Sequence, residues 1–413
     1  MKILLLEHPQ LTNGTWMLYE GLVRVLGRDA ITIFPPKPLF DGKYPSAVMK
    51  LMDIRWYRDV YKDLQNLPAG IPPLSNGELL TANDDRVMIS AICPVPPSPD
   101  KTDQIPIDED EVIELLNQNY YDLIVLGNSH RVPTIALARF RDKCRTLPPI
   151  IYFDAGERDE FNAHWWHVFK PALVFKNILT PELLLKKGTP QVPCDIYPMP
   201  MSHTTILSDK SDKFNINIDN LKNRSIDLTS NFGSTWETRR LVQQTVEKTC
   251  LSISRDNRKL VTKLDIFTQS DLLNSKISVS MRGSGRDTER YWDMPAAGCA
   301  LICDGTMGCI HPFPFKNNES AIFYKNLKEL DIAIKFLVNN DDERIRIAQN
   351  GHNHIRKYHS VEARALFFLG IINTKIGCNY SVENKDRIKS LIKDLKWDSE
   401  LPDWTGPVVG FDE

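Results

Sequence analysis

Residues 278–303 read SVSMRGSGRDTERYWDMPAAGCALIC. The apolar, β-branched run KISVSM (276–281) predicts a strand, TERYWDMPAAG a helix, and ALICD the next strand. Between the first strand and the helix stands GSGRDTER. Glycines at 283 and 285 let a backbone come close to a partner. Arg282, Arg286 and Arg290 point to an anionic partner, a phosphate for example, because guanidinium groups make charge-assisted and bidentate bonds to such oxygens. The helix that follows adds partial positive charge at its N-terminus, and Thr288 adds a hydroxyl. The plain alternative is a tight turn capped by Asp287, with the arginines in solvent.

The same strand–turn–helix order precedes this stretch. SIDLTSNFG reads as a strand and STWETRRLVQQTVEKT as a helix with Ser234 at its N-cap. FGSTW (232–236), with Gly233 and Ser234, is either a second phosphate-facing turn or an ordinary capped one. Downstream, LKELDIAIKFLVNNDDERIRIAQNGHNHIRKYHSVEARALFF is mostly helical, and the HNH at 352–354 reads as surface polarity. The first half opens β-α-β: MKILLLE, the helix of TNGTWMLYEGLVRVLG, then ITIF. YDLIVLG and PPIIYFD are further strands. A proline-rich insertion covers 35–105, and the polar segment 203–225 lacks core periodicity. These features predict an α/β protein of two Rossmann-like doubly wound domains facing a cleft, with 1–202 and 226–376 joined by the 203–225 linker. The remainder, 377–413, is expected to be a helix and tail returning to the N-terminal domain.

Composition narrows the function classes. The 413 residues suit two domains of roughly 150–200 residues each. A net charge of −2 gives no global drive toward nucleic acid or anionic membrane. No run approaches the roughly 18 apolar residues of a membrane span, and MKILLLEHPQ reads as a strand, not as a signal peptide. Eight cysteines without a CxxC pair suggest free thiols in a reducing, cytoplasmic setting.

Further candidates lie in the first half. Asp154, Glu157 and Asp159 follow the strand PPIIYFD, and Asp154 or Glu157 could serve as a catalytic base; salt bridges or a hydrated loop are the alternative. His8 ends the first strand, before Gly14 and Thr15 open the next helix, and could be a catalytic base, with a satisfied structural histidine as the preferred reading. His130 stands in a similar position after YDLIVLGNS. His164 and His167 have metal-like spacing but no third ligand, so no metal site is expected. Lys170 and Lys176 could reach an anionic group, with a solvated face as the preferred reading, and the acids at 108–110 read as favouring a helix dipole.

In their order, SNFGSTWETRRLV, ISVSMRGSGRDTERYWDMPAAGCALI and NNESAIFYKNLKELDIAIKFLVNNDDERIRIAQNGHNHIRKYHSVEAR resemble the C-terminal domain of GT-B glycosyltransferases, in particular the group related to the spore protein CgeB. The resemblance spans roughly 226–366; YFDAGERDEF, FKPALVFKN and DIYPMPMS are similar to the group's first-half blocks. It implies a nucleotide-diphosphate sugar bound by the C-terminal domain, an acceptor entering from the N-terminal domain, transfer in the cleft between them, and no metal or other cofactor. Asp293 occupies the position of the family's ribose-binding glutamate, and Glu319 that of a polar residue facing the donor. Retaining members often carry a second glutamate eight residues earlier; here that residue is Gly285, so the expectation leans to inversion, which needs a general base.

The acceptor could be a glycan, a protein, a metabolite or a modified base in DNA; near-neutral charge speaks against long DNA contacts. A non-catalytic structural or carbohydrate-binding protein on the same scaffold is the second reading. A dehydrogenase is the third, weakened by the absence of G-x-G-x-x-G after the first strand.

Overall fold

The computed structural model describes residues 1–7, 13–34, 48–50, 88–90, 107–127, 131–156, 169–185, 194–202, 218–230, 237–253, 260–261, 272–283, 285–304, 308–377 and 379–397. The chain divides into two compact units and changes unit between Met199 and Pro200 and again between Arg364 and Ala365.

The first unit contains β1 (Ile3–Leu6), α1 (Asn13–Leu26), β2 (Ile31–Phe34), β3 (Val48–Lys50), β4 (Met88–Ser90), α2 (Glu109–Asn117), β5 (Leu123–Gly127), α3 (Arg131–Lys143), β6 (Ile150–Asp154), β7 (Leu173–Lys176), α4 (Pro181–Leu185) and β8 (Asp195–Pro198). Six strands form one parallel sheet in the order β2-β1-β5-β6-β7-β8. The order reverses at β1, the topology of a doubly wound sheet. The runs ILLL, LIVLG and LVFK are buried along their whole length, as strands covered on both faces must be. Of the proline-rich insertion, 48–50 and 88–90 pair as an antiparallel ribbon; its other residues lie outside the described ones. The acids at 108–110 start α2: Asp108 is its N-cap, accepting from Glu111 N at 2.8 Å, and Glu109 pairs with Arg139 and Lys143.

The second unit holds α5 (Ile218–Lys222), β9 (Ile226–Thr229), α6 (Glu237–Ile253), β10 (Leu260–Val261), β11 (Ser275–Ser280), α7 (Glu289–Ala296), β12 (Ala300–Asp304), β13 (Ile322–Tyr324), α8 (Leu327–Asn339) and α9 (Asp341–Tyr358). Its sheet is parallel in the order β10-β9-β11-β12-β13, reversing at β9. α10 (Val361–Lys375) starts in this unit, and from Ala365 it belongs to the first, as does α11 (Val382–Asp394) through Leu391. The main segment of the second unit thus ends at Arg364, inside a continuous helix, and the unit takes up the chain again at Ile392. The described part of the polar 218–225 segment is tied into the unit: Arg224 donates to Ser275 O and Ala297 O, each at 2.6 Å.

The PAAGC sequence closes α7 in the Schellman manner. Gly298 N donates to Pro295 O and Cys299 N to Met294 O, with Gly298 at φ 77°, a region that disfavours side chains. This turn delivers the chain into β12. Gly351, in the middle of α9, has a different reason to lack a side chain. A Cβ there would stand 2.7 Å from Ser320 O and 3.4 Å from Pro295 Cβ. Helix propensity alone would favour alanine by about 1 kcal/mol, but overlap with a backbone oxygen outweighs that. We expect Gly351→Ala to lower unfolding free energy by about 1–3 kcal/mol in denaturant titration; an increase would show that the α9–α7 packing gives way freely.

Candidate functional site

In the second sheet the strand order reverses between β9 and β11, and ligands of open parallel sheets collect at the carboxyl ends of strands at such a point. The 281–288 turn leaves β11 there. Gly283 N bonds Gly285 O at 2.9 Å, which tightens the turn. Arg239, in the first turn of α6, is 7% exposed, and its Nε donates to Arg282 O at 3.0 Å. A Cβ on Gly283 would meet Arg239 Nη2 at 2.7 Å. A side chain at 283 would therefore have to displace the Arg239 guanidinium from its place beside the turn.

Arg290, the second residue of α7, belongs to the same place. Its Nε is buried without a hydrogen-bond partner. Its pKa is pulled down to about 10, first by burial and next by the charge of Arg239, against the opposing charges of Glu289 and Asp293. Two guanidinium groups are thus brought within electrostatic reach of one another, mostly out of water, beside a glycine turn and the first turns of two helices. That arrangement favours an anion with several oxygens.

The remaining sequence candidates divide. Arg282 is exposed; its Nε is 4.0 Å from Asp304 Oδ2, and its backbone N–H donates to Asp304 Oδ1 at 3.3 Å. Arg286 and Thr288 are half-buried. Thr288 is the N-cap of α7 in extended conformation, and its hydroxyl makes no bond to the helix it caps. Asp293 is buried on α7 and acts electrostatically on Arg290. Glu319 stands in the turn before β13, exposed and 3.6 Å from Lys316 Nζ, and no described contact joins it to the Arg239–Arg290 pair. Gly233, Ser234, His8, Glu157, Asp159, His130, His164 and His167 lie outside the described residues.

Asp287 has turned inward. Its Oδ2 accepts from Met201 N at 2.6 Å and its Oδ1 from Trp292 Nε1 at 2.7 Å, both within the second unit. Burial lifts its pKa from 3.8 to about 6, against those two bonds, the Arg364 charge and the Thr288 amide, all of which lower it. Trp292 is wholly buried, with His359 at 4.6 Å, stacked His311 at 5.2 Å and the Arg364 guanidinium at 5.3 Å from its ring. Arg364 Nη2 bonds His359 Nδ1. A guanidinium can only donate, so His359 carries its proton on Nε2 and donates it to Phe313 O at 2.8 Å. His354 Nε2 reaches the same oxygen at 2.8 Å. Burial, reinforced by Arg364, holds both imidazoles below their ordinary pKa. His352 is buried too, its Nδ1 2.9 Å from Ala296 O, while Asn353 is exposed and His354 half-buried, so of the HNH segment His352 departs from the expected surface polarity.

In the first unit Asp154 is buried at the carboxyl end of β6. Its Oδ2 is 2.9 Å from Lys176 Nζ, and its Oδ1 accepts from Gly156 N at 3.1 Å. Lys176 is fully buried, which corrects the expectation of a solvated face: β7 places it beside Asp154. Both carboxylate oxygens are engaged. Glu7, which the sequence reading passed over, is buried at the end of β1, with its carboxylate lying where a side chain on Gly127 would stand.

Among the described residues no group of three or more His, Cys, Asp or Glu could hold a metal ion, no disulfide joins the cysteines, and no helix is long and apolar enough to cross a membrane.

Residues 252–370 match the family model for a glycosyl transferase-like domain. The match takes in the 281–288 turn, Arg290, the Trp292 cluster and Arg364, and begins after Arg239; it is to the broad domain and not to the CgeB group. No curated relative matches significantly. Similar solved structures include Alr3699/HepE from Anabaena in complex with UDP, at 11% identity over 91% of this chain and 100% of that one, TM-score 0.49. Another is a glycosyltransferase from Rickettsia africae, at 11% identity over 66% of this chain and 81% of that one, TM-score 0.43. A third is sucrose-phosphate synthase from Thermosynechococcus elongatus, at 14% identity over 65% and 80%, TM-score 0.37. With two parallel α/β units and this domain in the second, the chain has the expected GT-B type of fold.

The Asp287 shift has a stability consequence. Its folded pKa lies above its unfolded value, so its stabilising contribution is full below about pH 4 and is lost as pH rises through about 6. Two pKa units correspond to roughly 3 kcal/mol at most. In urea titrations the wild type should therefore gain stability relative to Asp287→Asn between pH 7.5 and pH 4.5. A flat difference would mean that Asp287 titrates in its ordinary range.

Proposed function

We propose that the protein transfers a sugar from a nucleotide-diphosphate sugar to an acceptor hydroxyl, holding the diphosphate in the second unit. The observation that carries this reading is the mutually repelling pair of buried Arg239 and half-buried Arg290 at the glycine turn. The glycosyl transferase-like domain that contains the turn supports the same reading.

The chemistry follows from the charges. The acceptor oxygen bonds the anomeric carbon, the bond from that carbon to the diphosphate oxygen breaks, and negative charge builds on the departing diphosphate. Arginines set in place beforehand stabilise that charge without reorganising. Transfer on this account needs no metal, since the guanidinium groups and helix N-termini supply the positive charge. The acceptor proton passes to a general base, for which Asp154, Glu157 and His8 are the candidates, and stereochemistry is inverted. The acceptor class stays as broad as the sequence left it: glycan, protein, metabolite or modified DNA base. We place the protein in a reducing, cytoplasmic setting, in keeping with cysteines that form no described disulfide.

Thermal-shift screening against UDP, GDP, CMP, dTDP and ADP and their common sugars tests the donor site. We expect a rise in melting temperature with one nucleotide family. Arg290→Ala and Arg239→Ala should each weaken binding by about ten- to a hundredfold, the loss of one charge-assisted contact. No shift with any of these nucleotides would count against the donor site. Binding without donor hydrolysis or transfer would favour a carbohydrate-binding protein on this scaffold.

A further inference from the structure

Asp287 lies between the glycines that face the proposed diphosphate and the helix that carries Arg290, yet its carboxylate serves the interior. One oxygen holds the Met201 amide and the other the Trp292 indole. On the far side, Arg364 lies over the face of the same indole. Arg364 is 2% exposed; one of its nitrogens bonds His359, while its Nε and Nη1 are buried without hydrogen-bond partners. Asp287 is the acid whose charge acts on it. Trp292 therefore stands between an anion at its N–H edge and a cation on its ring face, where the indole presents its positive edge and its negative π-cloud respectively. The groups together tie the turn to residue 201, to α7 and to the start of α10.

We propose that Asp287 is a positioning residue: through Met201 and Trp292 it fixes the 283–288 turn in the shape that lets Gly283 close on Arg239 and presents Arg290 to the donor diphosphate. This inference rests on the donor site proposed above.

A stabilising role alone would be met better by a neutral group. A buried carboxylate bonded to two neutral donors carries a desolvation cost that an uncharged side chain avoids. Its distinguishing property is to accept on both oxygens at once. A protonated acid or an asparagine accepts well on one and confronts the other N–H with a hydrogen, so either change releases one of the two tethers. The titratable groups around it are Tyr291 on α7, Arg364 on α10 and, around the Trp292 ring, His311 and His359, whose imidazoles are held neutral by burial.

The test is calorimetric titration of the full chain with inorganic pyrophosphate, the unit common to diphosphate donors, from pH 5 to 8. Wild type, Asp287→Asn, Trp292→Phe and Arg290→Ala are compared, with melting temperatures taken alongside. Trp292→Phe keeps an aromatic ring under Arg364 and removes the N–H together with part of the ring, and its melting temperature reports the packing lost. At pH 7.5 we expect both positioning variants to bind about tenfold more weakly while remaining folded. Wild-type affinity should fall through about pH 6 more steeply than that of Asp287→Asn, whose profile records the protonation of pyrophosphate itself. Wild-type affinity and pH dependence in a folded Asp287→Asn or Trp292→Phe protein would overturn the positioning role, and if Arg290→Ala still lost binding the donor site would stand. If neither pyrophosphate nor any nucleotide binds the wild type, the donor site falls and this inference with it.

Discussion

The hydrogen bond from the Trp292 indole to Asp287 is the interaction on which the second unit is organised. It joins the turn that follows β11 to the most deeply buried side chain of α7. From the Trp292 ring outward, Arg364, His359, His354 and the Phe313 carbonyl form a connected series reaching the start of α10, the end of α9 and the loop before β13. Because Arg364 can only donate, the proton positions along this series are fixed, and each imidazole is committed to the same carbonyl. Segments far apart in sequence are thereby set in one arrangement around a single aromatic ring.

The same unit satisfies several buried guanidinium groups with uncharged acceptors. Arg224 bonds Ser275 O and Ala297 O, Arg239 bonds Arg282 O, and Arg364 bonds an imidazole nitrogen. A carbonyl answers the hydrogen-bonding need of a guanidinium without itself bringing an opposite charge. Arg344 is handled differently, with Asp341 as a direct ion-pair partner. The net charge of −2 over the whole chain gives no sign of these interior cations.

What the sequence made legible were features that depend on local composition. Apolar runs such as ILLL and LIVLG identify strands covered on both faces, and PAAGC identifies a helix end that needs a positive φ. The glycine turn with its arginines was equally plain. The direction of side chains was not. Arg239 and Arg240 are adjacent and alike, yet helix phase buries the first against Gly283 and leaves the second exposed beside Glu237. Asp287 reads as one more polar residue of the turn until Trp292 and Met201 are seen to claim it. Lys176 and His352 look solvent-facing by composition, and pairing with Asp154 or packing against α7 takes them inside. In each case the deciding partner is distant in sequence, so no local pattern carried it.

The family match begins at residue 252, after Arg239, so the proposed site draws one of its two buried cations from outside the matched domain. That division has a physical meaning. The turn and α7 can be conceived as a unit that presents one arginine, but one guanidinium is a weak trap for a diphosphate. Placing a second beside it costs stability through repulsion and burial, as the lowered pKa of Arg290 records. A bound diphosphate would bring further opposite charge to both cations and so offset their mutual repulsion. Binding is then favoured by more than the hydrogen bonds it forms. It is also selective for ligands carrying enough charge to satisfy both arginines, which a single phosphate ester does less well. Strain of this kind is expected where function and stability compete for the same residues. It places the specificity of the site in the spacing of α6 and α7, and so in the interior contacts that hold the turn between them.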